Sequence, residues 1–218
     1  MRLVRNLMAA IALAGFPVVA PAAPPCADFN DVDAAPPFCA NVEWIRNRGV
    51  TLGCATGLYC PNDSVNRLAM AAFMNRLGTA LTPQQLLVDA APGGIDLDAG
   101  PVVCQTTSMP IVNFPRRAFL DLAFAGHAPA AVDLAADLVV TTDNGATWTQ
   151  LTAIPNRGSV AANSWGSVGN LATVDLDVGD TARFGVRMQR VGGAADLTDS
   201  RCNLRVLIMS RDGAVSPY

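Results

Sequence analysis

The chain has 218 residues, 51% hydrophobic and 15% charged, with 15 basic residues against 18 acidic ones for a net charge of −3. Every cation is an arginine, all but one of the anions are aspartate, and lysine is absent. That length allows one or two domains, and the low charge argues against a disordered chain. An acidic balance without a basic run argues against a nucleic-acid groove. The one histidine, His127, rules out sites that need two imidazoles, such as H-E-x-x-H zinc hydrolysis.

The first 22 residues read as an export signal. Arg2 and Arg5 precede an apolar run from Leu7 to Val19, and Ala20-Pro21-Ala22 supplies the small-x-small pattern, with cleavage expected after Ala22. The run is shorter than the about 20 residues a membrane span needs, and no second one follows. The mature chain is therefore expected to be soluble, without a transmembrane span, and placed at the cell surface, in a periplasm or outside the cell. Losing two arginines leaves 13 cations against 18 anions, a balance of −5.

Export decides how the six cysteines read. In an oxidising compartment an even count points to disulfides, although six cysteines allow 15 connectivities. Cys26, Cys39, Cys54 and Cys60 fall in the first third, while Cys104 and Cys202 bracket the remainder. Chain position favours Cys26–Cys39 and Cys54–Cys60 as local pairs and Cys104–Cys202 as the closure of the later part. The rival is a four-cysteine zinc site, but C-x12-C and C-x5-C spacings match the usual knuckles poorly. No metal or other cofactor is expected.

Residues 23–78 read as a small helical module. Pro36-Pro37 is placed to open a helix in which Phe38, Val42 and Ile45 recur at helical spacing, with Gly49 as its C-terminal cap. A glycine-rich loop, Gly53 to Pro61, follows. Asn66 is a good N-cap for a second helix from Arg67 to Leu77, with Gly78 as its stop and a Met70, Phe73, Met74, Leu77 stripe read as core.

These residues carry a resemblance. Phe29-Asn30-Asp31-Val32, the helix with Trp44-Ile45, Gly49-Val50-Thr51, the Gly53–Pro61 loop, and Val65-Asn66-Arg67 before Ala71-Ala72-Phe73 resemble one S-layer homology (SLH) repeat. The resemblance implies a non-covalent anchor for cell-wall or envelope polysaccharide, usually built from three repeats around a shared axis. It implies that Arg67 contacts the anionic polymer and that Asp31 is a structural position. Where the family has Thr-Arg-Ala-Glu, this chain has Asn66-Arg67-Leu68-Ala69, so the reciprocal half of a capping box is missing. One repeat alone implies that other copies complete the ring, a homo-oligomer and on fold analogy a trimer.

Residues 79–101, with Pro83, Pro92, Gly93, Gly94, Gly100 and Pro101, read as a linker with one helical turn at Gln84–Val88. From 102 to 218 the period becomes two. Ala118–Phe124, Val174–Val178 and Arg183–Arg190 alternate, and Leu134–Thr142 and Asn203–Ser210 are further strand candidates. Asp143-Asn144-Gly145 before Trp148 marks a hairpin. The fold expected is thus α+β and two-domain: a disulfide-supported two-helix module followed by an antiparallel β-sandwich or jelly roll.

Thr141 to Trp148 is similar to the Asp-box turn of sialidases and other propellers. The likeness implies a fold device in which Asp143 bonds the turn and Trp148 packs beneath. One copy in so short a segment argues against a propeller. Trp148 and Trp165 suit either core packing or stacking on sugar rings. Chemistry is otherwise sparse. Gly166-Ser167-Val168-Gly169 is one residue short of a nucleophile elbow and lies in a loop-like stretch. Asp28, Asn30, Asp31 and Asp33 lack the spacing of a calcium loop. Asp175, Asp177 and Asp180 read as the polar face of a strand and its turn. Arg183, Arg187, Arg190 and Arg205 read as a solvated sheet face, with an anion-binding stripe as the sharper alternative.

The function expected is a non-enzymatic cell-envelope protein, with no catalytic residues, whose SLH-like part holds glycan through Arg67 and displays the β-domain. An adhesin or filament component with that part as spacer is the alternative. An enzyme of envelope polysaccharide stands third, because it needs two facing carboxylates.

Overall fold

The computed structural model describes residues 25–34 and 37–211. The expected export signal lies outside them. Strand makes up 46% of the described residues and helix 14%. The described residues open with a two-stranded antiparallel sheet, β1 (Pro25–Cys26) and β2 (Phe29–Asp33), around a tight turn in which Ala27 and Asp28 both take positive φ. Helix α1 (Phe38–Asn47) follows and ends on Gly49, whose φ of +67° lets Val50 N–H turn back to the Ile45 carbonyl. Helix α2 (Arg67–Leu81) is capped by Asn66, whose side chain accepts from the Ala69 amide at 2.8 Å. It passes through Gly78, which costs a helix only about 1 kcal/mol, and stops at Thr82-Pro83.

Nine further strands follow among the described residues: β3 (Gln84–Ala90), β4 (Val102–Val103), β5 (Arg116–Ala128), β6 (Val132–Thr141), β7 (Thr149–Gln150), β8 (Asn156–Val160), β9 (Ser164–Leu176), β10 (Arg183–Gly193) and β11 (Asp199–Ser210). One sheet runs β3-β11-β5-β9. The other runs β4-β10-β6, with β7 and β8 paired in turn along the far edge of β6. All pairings are antiparallel. From β3 to β6 and again from β8 to β11, each connection crosses from one sheet to the other. Leaving aside the short β7, eight strands in this order make a jelly roll.

The expected α+β, two-domain architecture is overturned. Residues 84–90, read as linker with a helical turn, form β3 and pair along their length with β11, from Gln84 opposite Ile208 to Ala90 opposite Cys202. Ile95 and Leu97, also in that stretch, are buried in the sandwich core. Only two residues separate α2 from an edge strand of the sandwich, so the helices are an elaboration of one β-rich body. The local sequence Gln84-Gln85-Leu86-Leu87 favours helix weakly, and pairing with β11 wins because Leu86 and Val88 then pack on the core.

The main core lies between the sheets. Leu120, Leu122 and Phe124 of β5 and Leu204 and Val206 of β11 face Leu134, Leu138, Phe184, Val186 and Met188 of β6 and β10. Cys104 and Cys202 are bonded within this core and tie the two sheets together. Glycine hid part of β9. A Cβ on Gly166 would stand 2.7 Å from the Ser159 carbonyl oxygen and 2.8 Å from Val160 Cγ2, so the bare backbone is what lets β9 fold back on β8. The loop-like reading of residues 166–169 is corrected accordingly.

The helical end has a much smaller core of Cys26, Phe29 and Val42. The Met/Phe stripe of α2 is not core: no residue of that helix is buried, and Met70 and Met74 are 51% and 59% exposed. The side turned inward is Ala69, Ala72, Phe73, Arg76, Leu77 and Ala80, all half-buried.

Candidate functional site

The residues that carry the repeat-like pattern fold onto one another. Both carboxylate oxygens of Asp31 accept backbone N–H groups of the loop, from Tyr59 at 2.8 Å and Cys60 at 2.7 Å. These bonds hold the Asp31 carboxyl below the usual carboxylate range, with the Tyr59 amide the largest cause. Asp31 is thus spent on structure, and Asn30 N–H adds a bond to the Gly57 carbonyl. The Cys54–Cys60 and Cys26–Cys39 disulfides fix the same loop and strand. With Cys104–Cys202 these are the three pairs expected from chain position. Arg67 stands exposed at the first turn of α2 and forms no ion pair among the described residues.

The Asp-box segment behaves as a turn device. Asp143 accepts from the Thr141 hydroxyl at 2.6 Å and from the Thr147 amide at 2.9 Å, and Asn144 and Gly145 take positive φ. Those hydrogen bonds, that from Thr141 first, push the Asp143 carboxyl far below its ordinary value. Trp148 lies on the outer face of the β10 sheet, over Gly185, where a Cβ would come within 3.3 Å of its ring. Trp165 is 47% exposed on the outer face of β9 and meets His127 edge-on at 5.8 Å between ring centres. His127 Nδ1 in turn lies 2.9 Å from the Thr198 hydroxyl.

The four sheet arginines are not brought together. Arg183 is bonded to Gln105, Thr106 and Asn144, and Arg190 bridges Asp98 and Asp196. Arg187 donates to the Trp148 carbonyl on the same face, whereas Arg205 lies on the opposite sheet across from Asp121. Asp175 is clamped by Arg117 and Arg211, which hold its carboxyl at about 2. Asp180 accepts from the Asp177 amide at 2.8 Å and closes their turn.

A cationic cleft escaped the sequence reading. Where α1, α2 and the end of the jelly roll meet, Arg48, Arg76 and Arg116 line a space of about 320 Å³. Arg48 stacks on Trp44 and on Phe114, with 4.2 Å and 5.0 Å to the ring centres. Arg116 had a legible signal: the alternation Ala118, Leu120, Leu122 extends back to it and puts it on the inward face. Arg48 and Arg76 come from separate helices, and their meeting with Arg116 is set by tertiary packing alone.

No family model matches this chain, and no curated protein matches it. Among solved structures it is similar to Eiger TNF from S. frugiperda, with 14% identity, 61% of this chain and 89% of that chain covered, and a TM-score of 0.31. The jelly roll is shown by the strand order of the two sheets. The described residues contain three disulfides and no helix long and apolar enough to cross a membrane, and the disulfides fit a secreted or extracellular setting.

Proposed function

We propose that this is a non-enzymatic protein of the cell envelope that holds wall or envelope glycan through its SLH-like helical end and displays the jelly roll. The observation that carries the reading is the state of Arg67. The arginine that the resemblance assigns to the polymer is exposed and outside every ion pair of the described residues, at the start of a helix whose partial positive charge adds to its own. The loop that precedes it in the chain is held by Asp31 and by a disulfide, so the surface that loop presents is fixed before any ligand arrives. The exposed side chains of Leu68, Met70, Met74 and Leu81 leave α2 with apolar surface that neighbouring copies would cover, in line with a homo-oligomer, on fold analogy a trimer.

Co-sedimentation of the exported protein with purified sacculi tests the reading. Arg67→Ala is expected to lose binding while keeping its fold by circular dichroism; retention by that variant at wild-type strength would refute the role given to Arg67. A second reading, an adhesin in which the helical end is a spacer, draws on the exposed Trp165 beside His127, a surface suited to sugar stacking. Loss of glycan binding on Trp165→Ala instead of Arg67→Ala would favour it.

A further inference from the structure

From the cleft between the helices and the jelly roll we infer a second binding site, one for a small sugar unit that carries a carboxylate or a phosphate. It deepens the glycan reading above by naming what is bound and where, at a place remote from Arg67. Arg76 lies nine residues along α2 from Arg67, about 13 Å at the rise of an α-helix.

Three arginines from three segments line the cleft, and no acidic residue is among its lining residues. Arg116 is the strongest pointer. It is only 2% exposed, with Nη1 donating to the Pro110 carbonyl at 3.0 Å and Nη2 to the Asp180 carbonyl at 2.8 Å. Both partners are neutral carbonyls, so its buried charge is left to be balanced by an anion close by, and the cleft it lines is where one can sit. Burial pushes the Arg116 pKa down, and the nearby Asp180 carboxylate opposes this. An anion in the cleft would oppose it further. Among the described residues Arg76 donates to the Val50 carbonyl alone, at 3.5 Å, so its guanidinium retains donors for a ligand.

The rest of the lining says what the anion is attached to. Thr79, Gln84 and Ser210 offer hydroxyl and amide groups that can pair with sugar hydroxyls, and Phe114 adds an aromatic ring over which Arg48 already lies. The volume lies at the small end of ligand pockets, which fits a monosaccharide unit and not a folded partner. An arginine fork recognises either a carboxylate or a phosphate, so both chemistries belong to the proposal.

Titration calorimetry of the oxidised, full exported chain with glucuronate, glucose 6-phosphate, inorganic phosphate and glucose tests it, the first two arms separating carboxylate from phosphate. Binding of at least one sugar acid, with none of glucose, is the expected result. Arg76→Ala should weaken that binding about tenfold or more, as expected for a charge-assisted hydrogen bond, while Arg157→Ala, at an exposed position on β8 outside the cleft, leaves it unchanged. Ser210→Glu, which adds a negative charge to the lining and keeps every arginine, should abolish it and serves if Arg76→Ala does not fold. No binding of either sugar acid would overturn the site. Equal affinity for inorganic phosphate and glucose 6-phosphate would overturn the sugar assignment. Sacculus binding lost in Arg67→Ala, with no sugar-acid binding by any form, would sink the cleft and leave the anchor. Sugar-acid binding without sacculus binding would do the reverse.

Discussion

Removal of each disulfide in turn should destabilise the protein in an order set by loop length. The three bonds close separations of 98 residues for Cys104–Cys202, 13 for Cys26–Cys39 and 6 for Cys54–Cys60. Loop-closure entropy then gives about 4.7, 2.9 and 2.2 kcal/mol respectively at 25 °C. Paired Cys→Ala substitutions followed by urea unfolding, read by tryptophan fluorescence and circular dichroism, measure each loss. For a protein of this size the Cys104/Cys202 variant should melt on the order of 10–20 °C lower. Its m-value should rise, because the uncrosslinked unfolded chain exposes more surface. The same bond also joins the two sheets inside the core, so its loss should be felt throughout the sandwich. A Cys54/Cys60 variant destabilised more than the Cys104/Cys202 variant would refute the reasoning.

Gly166→Ala should cost about 1–3 kcal/mol, because its Cβ meets the Ser159 backbone at 2.7 Å and backbone cannot step aside cheaply. Gly78→Ala, in open space inside α2, should instead stabilise by up to about 1 kcal/mol, and denaturant melts of the two variants check the contrast. Asp175 has a folded-state pKa of about 2 against 3.8 when unperturbed, so the stability it adds is present above pH 4 and is lost as pH falls toward 2. Asp175→Asn should flatten the acid limb of a stability–pH curve between those values, and an unchanged limb would count against the Arg117–Asp175–Arg211 clamp.

Local pattern carried the sandwich, and long-range pairing carried what the sequence reading missed. Alternation over Ala118–Phe124 and Arg183–Arg190 is visible residue by residue because each strand has one dry face. The first half of β9 was not, since Gly166 and Gly169 serve close backbone approach and carry no side chain to mark a face. β3 was hidden by Pro83 ahead of it and Pro92 behind it, and only its partner β11, more than a hundred residues later, makes it a strand. The Met70/Met74 stripe shows the converse error: helical spacing was read correctly, but periodicity does not say whether anything lies opposite. The cysteine pairs were legible because position and compartment left little competition. Arg67 was legible only through resemblance. Arg116 was legible as an arginine in phase with inward residues, but Arg48 and Arg76 join it only once α1 and α2 are packed on the jelly roll.

The most direct measurement is sacculus and envelope-polysaccharide sedimentation with the oxidised protein across ionic strength. Retention at low salt that weakens steadily as salt rises is the expected result, since arginine meeting an anionic glycan is screened over about 10 Å at 0.1 M. Absence of retention at low salt, at any protein concentration that allows self-association, would contradict the anchoring function.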